Sequence, residues 1–246
     1  MIEGHYEQLL AARYTWMMGG IENCLTAARR LLDMAGLDRN LSGQAVLDLG
    51  CGPGYHARVL TERGCRVVAV DVSQTCLDEL RRECPSADLI PLHANLLDRK
   101  SYERFGPFQA VLCLGDTLPH LPDHANVREL IEIMGDLIAP DGILVLEFRE
   151  QTTEMKGKDA VFTTRADRDR IMQCVLHYEP TRVWVTDVVH EWTNGAWQTS
   201  KSTYPKLRLD AEQIVREATA IGLRPHLSEI RTGRRILVLR ADPSHQ

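Results

Sequence analysis

The sequence lacks several features that would assign it to a specialised class of protein. No apolar run reaches the roughly 18 residues that a membrane-spanning helix needs, so no membrane association is predicted. Lysine and arginine (29) do not outnumber aspartate and glutamate (34), and the formal net charge of -5 disfavours a dedicated nucleic-acid-binding protein. The first residues lack the charged and then apolar pattern of a secretion signal. We therefore expect a cytoplasmic protein.

Paired cysteines are also missing. The seven cysteines form no C-x-x-C motif, and their odd number disfavours a disulfide framework. Several stand in apolar runs, as Cys113 does, which is typical of reduced cysteines that pack as small hydrophobic residues. We predict neither a disulfide scaffold nor a zinc site, and no other set of metal ligands stands out.

The most informative feature that is present is a glycine-rich loop between two acids. The segment VLDLGCGPG at residues 46–54 reads as a strand, an acid and three alternating glycines, and a second strand ends at Asp71. Glycine lets the backbone turn sharply and lets a ligand approach without interference from a Cβ atom. An acid about twenty residues after such a loop is placed to bind a ribose. The pattern predicts a nucleoside pocket.

The details of the loop discriminate between nucleosides. A phosphate-binding Walker loop needs a lysine, which is absent, and the dinucleotide fingerprint places its third glycine one residue later. Asp48 would also repel a pyrophosphate, whereas it suits a ligand with positive charge near the glycines. The ammonium and sulfonium groups of S-adenosylmethionine meet that condition. An ordinary strand–turn–helix whose glycines bind nothing is the alternative.

The middle of the chain alternates between strand-like and helical segments. Apolar runs lie at 45–49, 67–71, 88–92, 109–114 and 143–148, and helical patterns lie at 55–63, 73–83 and 124–138. This alternation predicts a parallel sheet with helices on both faces, whose strand C-termini share the edge where ligands bind. Polar residues stand at or just after four of these ends: Asp48, Asp71, Asn95 and Asp116.

The flanking segments differ from this alternating core. An aromatic and Met-rich patch at residues 14–18 either packs on the core or covers the pocket. The turn Asn194-Gly195 between strand-like runs indicates a hairpin, a helix follows near 210–221, and the last strand is expected at 235–240. The predicted organisation has three parts: an N-terminal helical lid (1–40), a binding domain (41–150 and 207–246) and an antiparallel β cap (151–206).

These motifs together resemble those of class I S-adenosylmethionine-dependent methyltransferases. Residues 46–54 are similar to the first motif of that family, and Val70-Asp71 to its second. The run AVLCLGDTLPHLPD at 110–123 is similar to the fourth-strand region of the glycine and sarcosine N-methyltransferases. Residues 144–149 and the pair Tyr204-Pro205 extend this narrower resemblance.

The resemblance has departures as well. Asp116 stands where asparagine is expected, Leu96 replaces an aromatic residue, and residues 21–28 contain no arginine. Glycine is therefore not fixed as the acceptor.

The resemblance implies an α/β fold with a Rossmann-like seven-stranded sheet, mostly parallel with the last strand antiparallel, and an antiparallel β insertion as cap. It implies S-adenosylmethionine as cofactor and no metal. The implied cofactor-binding residues are Tyr14, Asp48, Gly50, Cys51, Gly52, Gly54, Asp71, Val72, Asn95, Leu96 and Leu114. The implied catalytic and substrate residues are Asp116, His120 and Arg149, with Tyr204 as a further substrate contact.

The expected reaction is transfer of a methyl group by in-line displacement to a small amine or amino-acid-like acceptor. Asp116 or His120 would deprotonate or orient the acceptor, and Arg149 would clamp a carboxylate unless it forms a surface ion pair with Glu147 or Glu150. Methylation of oxygen or carbon is the main alternative. A nucleic-acid methyltransferase, a nicotinamide-dependent oxidoreductase and a non-catalytic adenosyl-binding protein are less favoured, and a homo-oligomer is possible.

Overall fold

The computed structural model describes residues 9–38, 41–155 and 159–241. Short 3-10 turns connect the helices and strands of these residues. The helices are α1 (Tyr14–Met17), α2 (Ile21–Met34), α3 (Tyr55–Glu62), α4 (Gln74–Glu83), α5 (His124–Leu137) and α6 (Ala211–Ala220). The strands are β1 (Ala45–Leu49), β2 (Arg66–Asp71), β3 (Leu89–His93), β4 (Phe108–Cys113), β5 (Ile138–Phe148), β6 (Asp159–Ala166), β7 (Arg170–Tyr178), β8 (Arg182–Thr193), β9 (Ala196–Leu207), β10 (Leu223–Arg231) and β11 (Arg234–Ala241).

A seven-stranded sheet organises the protein, in the order β10-β11-β5-β4-β1-β2-β3. The five strands from β1 to β5 pair in parallel, and β11 runs antiparallel to both of its neighbours. The predicted topology is confirmed. The edge strand β10 was not expected, because most of its residues are exposed and it contains no apolar run. The carboxyl ends of β1, β2 and β4 meet at one edge, which positions the site.

Helices cover both faces of this sheet because its strands alternate their side chains. In β1, Val46 packs in the core under α2, α3 and α4, whereas Leu47 packs in the core under α5 and α6. Both clusters consist mainly of aliphatic side chains with almost no exposure. Three of the helices, α4, α5 and α6, begin at side-chain caps such as Ser73, whose hydroxyl accepts from the Cys76 amide. The sheet is thus buried on two sides, as its continuous apolar strands predict.

The insertion between β5 and α6 folds as a four-stranded antiparallel sheet in the order β6-β7-β8-β9. Its longest strands, β8 and β9, meet at the predicted turn, where both Asn194 and Gly195 have positive φ angles of 52° and 79°. A two-residue turn of this kind requires that conformation. The side of the sheet that carries Val183, Val185 and Tyr204 is buried. The expected antiparallel β insertion is confirmed, and we call it the cap.

The N-terminal segment lies between the cap and the main sheet. The Thr15 hydroxyl donates to Glu79 of α4 at 2.6 Å and shares a hydrogen bond of 2.7 Å with the Tyr55 hydroxyl. Arg13 forms an ion pair with Glu191 of the cap at 2.6 Å. The segment predicted as a lid therefore touches the cap and two helices of the main domain, although residues 1–8 and 39–40 lie outside the described part. None of the described helices is long and apolar enough to cross a bilayer.

Candidate functional site

A cavity of about 750 Å³ opens at the carboxyl ends of the parallel strands, under the cap. Its walls come from the loops that follow β1, β2, β3 and β4, from the cap and from α1. Twelve of the residues predicted from sequence line it: Tyr14, Gly50, Cys51, Gly52, Asp71, Val72, Asn95, Leu96, Leu114, Asp116, His120 and Tyr204. Three predicted residues, Asp48, Gly54 and Arg149, do not line it.

The three glycines of the loop share positive φ angles but serve different purposes. A Cβ atom on Gly50 would lie 2.4 Å from Cγ2 of Thr117, and one on Gly54 would lie 2.3 Å from Cδ1 of Leu80. Those two positions therefore need glycine for packing. A Cβ on Gly52 would meet no protein atom within 4 Å, because Gly52 faces the open cavity. The Gly52 backbone is thus accessible to a ligand.

Asp71 ties the loop to the end of β2. One of its carboxylate oxygens accepts from the Gly52 amide at 2.7 Å, and the other accepts from the Ser73 amide at 2.8 Å. Asp71 also lines the cavity, so it can brace the loop and contact a ligand at once. On the neighbouring wall, Asn95 accepts from the Leu97 amide at 2.9 Å, which holds the apolar side chain of Leu96 at the cavity.

Asp48 is a buried acid with little to balance it. It is 1% exposed, and neither carboxylate oxygen has a hydrogen-bond partner of good geometry among the described residues. Burial, and secondly the charge of Asp71, raise the pKa of Asp48 to about 7, which the nearby Ala57 amide offsets only in part. An unpaired buried carboxylate is costly. A positively charged ligand beside the loop would reduce that cost.

Asp116 lines the cavity just after β4, where its carboxylate belongs to an ion-pair network. Its carboxylate accepts from Lys206 Nζ at 2.8 Å and from Arg149 Nη1 at 3.2 Å, and it also accepts from the Arg149 backbone amide. Burial alone would raise the pKa of Asp116, but the charges of Lys206 and Arg149 outweigh it and hold the pKa well below its usual range. Asp116 is therefore a fixed negative charge and a poor base, contrary to one of the roles predicted for it.

Arg149, which was predicted to clamp a carboxylate of the substrate, pairs with a carboxylate of the protein instead. Its guanidinium pairs with Asp116, lies outside the cavity lining and is 44% exposed. The alternative pairs with Glu147 and Glu150 do not form either. Glu147 pairs with Arg234 at 3.5 Å, and Glu150 pairs with another arginine of β11. Arg149 thus positions Asp116 and does not face the cavity.

His120 and Tyr204 meet where the cap crosses the main sheet. His120 ends the 3-10 turn Leu118–His120 just after β4, and its ring centroid lies 5.5 Å from that of Tyr204. The Tyr204 hydroxyl donates to Asp187 within the cap at 3.1 Å. Both rings line the cavity. The role of His120 as a proton acceptor stays a prediction.

The cavity environment sets the charge of two further lining residues, Tyr14 and His56, which are both neutral at pH 7. Desolvation raises the pKa of Tyr14 to about 12, so its hydroxyl remains a hydrogen-bond donor at neutral pH. Burial, together with the charge of Arg234, lowers the pKa of His56 to about 4, which leaves that imidazole neutral. Sequence reasoning did not single out His56, although it follows the last loop glycine by two residues.

Sequence reasoning also missed the contributions of the cap other than Tyr204. Within the cap, Lys206 forms an ion pair with Asp116. The indole of Trp184 and the guanidinium-bearing side chain of Arg182 line the cavity. A signal for Lys206 was available, because residues two apart on a strand share a face, which places Lys206 beside Tyr204. Within the described ranges, no three His, Cys, Asp or Glu residues are grouped so as to hold a metal ion.

Comparisons with known proteins agree with this site. A family model described as a methyltransferase domain matches residues 46–142. A dTDP-3-amino-3,6-dideoxy-alpha-D-glucopyranose N,N-dimethyltransferase of Streptomyces fradiae is 32% identical over 203 residues, which is 79% of this chain and 76% of that protein. Glycine N-methyltransferase of Mus musculus is 33% identical over 129 residues, or 47% of this chain, and the match spans only 44% of that relative's length.

A solved structure shares the fold over almost the whole chain. The CcbJ methyltransferase from Streptomyces caelestis superposes with a TM-score of 0.77 at 17% identity, covering 96% of this chain and 98% of that one. The relative from Streptomyces fradiae extends the sequence similarity through the cap, beyond the matched domain. The glycine loop, the acid at the end of β2, the sheet topology and these similarities have one explanation in common: the chain belongs to the S-adenosylmethionine-dependent methyltransferases.

Proposed function

We propose that the protein transfers a methyl group from S-adenosylmethionine to a nitrogen atom of a small amine or amino-acid-like molecule. When bound, the cofactor supplies a methyl group that is already activated on a sulfonium. The protein's task is therefore to align the acceptor in line with that group and to exclude water. The single observation that carries the proposal is that one cavity under the cap joins the glycine loop, Asp71 and His120, with the buried acid Asp48 at the end of β1 directly before that loop.

The residues beside the loop fit this cofactor. The carboxylate of Asp48 and the positive charge of the cofactor would balance each other. A neutral ligand would leave the Asp48 carboxylate without a counter-charge. Gly52 offers open backbone, and Asp71 has two oxygens suited to the vicinal hydroxyls of a ribose. On the same side of the cavity we assign the adenine to Asn95 and Leu96. The remaining assignments are those made from sequence: Tyr14, Gly50, Cys51, Gly54, Val72 and Leu114.

The surroundings of the acceptor favour an uncharged amine. Lys206 and Arg149 neutralise the Asp116 carboxylate that lines the cavity, so this carboxylate gives little stabilisation to an ammonium. An amine therefore keeps the lone pair that attacks the methyl group. We assign His120 as the group that takes the proton released by the methylated nitrogen, and Tyr204 as the aromatic wall that orients the acceptor.

Two of the similar proteins support a nitrogen acceptor, while others are named for trans-aconitate or for O-methylation. The relative from Streptomyces fradiae is named for dimethylation of an amino sugar, and the one from Mus musculus for methylation of glycine. Both act on an amine. Methylation of oxygen or carbon is an outcome that the acceptor screen below distinguishes.

The parts of the chain divide this work between them. We propose that residues 41–150 and 207–246 bind the cofactor, while residues 151–206 form the cap and residues 1–40 the lid that enclose the acceptor. The contacts of Thr15 with the helices and of Arg13 with the cap support this arrangement. Lid and cap together would exclude water from the reacting groups.

Calorimetry with S-adenosylmethionine, S-adenosylhomocysteine and NADH, followed by an acceptor screen, tests the proposal. We expect both adenosyl compounds to bind, NADH not to bind, and amines to release S-adenosylhomocysteine faster than matched phenols or carboxylic acids. Binding of NADH alone would overturn the cofactor assignment. Turnover confined to phenols or acids would overturn the nitrogen assignment.

A pair of histidine variants tests the role of His120. His120→Gln should lower kcat with an amine by at least about tenfold, with the Kd for S-adenosylhomocysteine changed less than about twofold. The control is His226→Gln, which alters an exposed histidine of β10 and should leave both quantities unchanged. Equal activities of the two variants would remove His120 from the reaction.

A further inference from the structure

We propose that Arg182 of the cap binds an anionic group, a carboxylate or a phosphate, on the methyl acceptor. The inference rests on the proposed function and deepens it, because it names a chemical class for the acceptor. It also moves the recognition of an anion from Arg149, which faces away from the cavity, to an arginine that lines it.

The first argument is charge balance along the cavity wall. Arg182 is the only arginine or lysine among the described lining residues. The two lining carboxylates already have partners, because Asp116 pairs with Lys206 and Asp71 accepts from backbone amides. No described carboxylate forms an ion pair with Arg182. A half-buried guanidinium without a counter-ion attracts an anion from the solution that fills the cavity.

The second argument is the geometry of the guanidinium. Its Nη2 atom donates to the backbone oxygen of Pro122 at 3.1 Å, so one end of the group is anchored. A guanidinium carries five N–H donors in a fixed fork, and the remaining donors are left for a second partner. Arg182 also begins β8, where it is in register with Leu207 of β9. A fork held at both its side chain and its backbone is prepared for bidentate binding of an oxyanion.

The third argument is what lies beside Arg182. Trp184 is two residues further along the same strand, so the two side chains share a face of the cap, and both line the cavity. Tyr204 and Lys206 occupy the opposite face, since they are in register with Val185 and Val183. The anionic group at Arg182 would thus be attached to an apolar or ring-shaped part of the acceptor. That part would pack on Trp184, away from the ion pair at Asp116.

The fourth argument is distance to the reacting group. Pro122, whose carbonyl anchors Arg182, is two residues from His120. The Cα atoms of these two residues are therefore at most about 7 Å apart. An anion at Arg182 and a nitrogen at His120 could therefore belong to one small molecule. The acceptor class that fits is a compact amine that carries a carboxylate or phosphate a few bonds from the nitrogen.

Calorimetry on the full-length protein saturated with S-adenosylhomocysteine tests the site without a known acceptor. The probes are citrate for carboxylates and inorganic pyrophosphate for phosphates, and glycerol is the neutral control. We expect wild-type protein to bind at least one anion, and Arg182→Gln to bind it at least about tenfold more weakly, a loss of about 1.4 kcal/mol. The matched control is Arg168→Gln, because Arg168 carries the same charge but is 94% exposed on the β6–β7 turn; it should bind like wild type.

The outcomes separate this inference from the proposed function. If S-adenosylhomocysteine binds normally but neither anion binds wild-type protein, or Arg182→Gln binds anions as wild type does, the site is refuted and the proposed function stands. If S-adenosylhomocysteine does not bind wild-type protein, the proposed function and the inference both fail. Binding of citrate alone or pyrophosphate alone identifies the anion as a carboxylate or a phosphate.

A turnover assay provides the second readout. Glucosamine 6-phosphate and glucosamine, or an amino acid and its amide, differ only in the anionic group. Where such a pair is turned over, Arg182→Gln should raise KM for the anionic member at least about tenfold and for the neutral member less than about twofold. Equal changes for both members would contradict anion recognition by Arg182.

Discussion

The two sides of the cavity are built by different means. The glycine-loop side, which comprises residues 48–54, Asp71, Asn95 and Leu96, uses backbone amides and one unpaired acid, and its parts lie close together in the sequence. The cap side, which comprises Asp116, His120, Arg149, Tyr204 and Lys206, is assembled from side chains up to 90 residues apart. The first side suits a ligand shared by a whole family, whereas the second can change its acceptor by exchanging side chains.

Electrostatics sharpens this contrast. Asp48 is fully buried without a counter-charge and its pKa is raised, whereas Asp116, whose side chain is 9% exposed, lies between two cations and its pKa is lowered. The balance of charge at the two acids is thus opposite. On the glycine-loop side, no described cation balances the charge of Asp48. On the cap side, Lys206 and Arg149 neutralise the charge of Asp116.

The largest effect should come from Asp48→Asn in the absence of cofactor. Because the folded protein holds the pKa of Asp48 near 7, well above the unfolded value of about 4, the wild-type free energy of unfolding should fall as pH rises from about 4 to about 7. The full loss is about 4 kcal/mol at 1.36 kcal/mol per pKa unit, of which about 2.6 kcal/mol falls between pH 5 and pH 8. The substitution should abolish it, as urea unfolding at pH 5 and pH 8 would measure.

Affinity for the cofactor should move in the opposite direction. At pH 8, Asp48→Asn should weaken binding of S-adenosylmethionine by about tenfold or more, since a buried charge partner is lost. The exposed Asp88 before β3 gives the control, Asp88→Asn, which should change neither quantity. A pH-independent wild-type stability would show that Asp48 is compensated and would remove the contrast between the two sides.

The next effect, on the cap side, should come from Lys206→Met. Removing one partner of a buried ion pair costs about 3 kcal/mol, and urea unfolding should show a loss near that value. The double variant Asp116→Asn/Lys206→Met should recover part of it, because no uncompensated charge remains. Binding of S-adenosylhomocysteine should change less than about twofold in either variant. A large loss of cofactor affinity would mean that the two sides are not independent.

A smaller effect should distinguish strain from ligand contact at Gly52. An L-residue in the left-handed region costs about 1 kcal/mol, so Gly52→Ala and Gly233→Ala should lose similar stability, as both glycines have positive φ and open space around them. Only Gly52→Ala should weaken S-adenosylhomocysteine, by about tenfold in calorimetry. Equal affinities of the two variants would indicate that the ligand does not approach Gly52.

The smallest effect should come from Thr15→Val, which removes two hydrogen bonds between the N-terminal segment and the helices. A net loss of about 1 kcal/mol should reduce affinity for S-adenosylhomocysteine by up to about fivefold, because Tyr14 is assigned to the cofactor. Thr219→Val, whose hydroxyl bonds only within its own helix, should have no such effect. If only the KM for the acceptor rose, Tyr14 would be assigned to the acceptor and not to the cofactor.

Local patterns predicted most of the fold. Continuous apolar runs located the five parallel strands, and Asn194-Gly195 located the cap hairpin, because these signals depend on neighbours in sequence. The position of strand β10 was not predicted, because an exposed edge strand needs no apolar run. Asp116 lies just after β4, as predicted, but its lowered pKa, which disfavours a role as base, depends on Lys206 and Arg149.

By itself, the sequence determined the sheet, the glycine loop and the cofactor, because each is encoded in contiguous residues whose spacing sets their geometry. The tertiary structure alone decided that Asp116 is a fixed charge, that Arg149 faces away from the cavity and that Arg182 lines it. Those properties depend on which strand of the cap crosses the sheet edge, and in what register. A one-residue slip would reverse every side chain of β9, and no local pattern specifies the contact that prevents it.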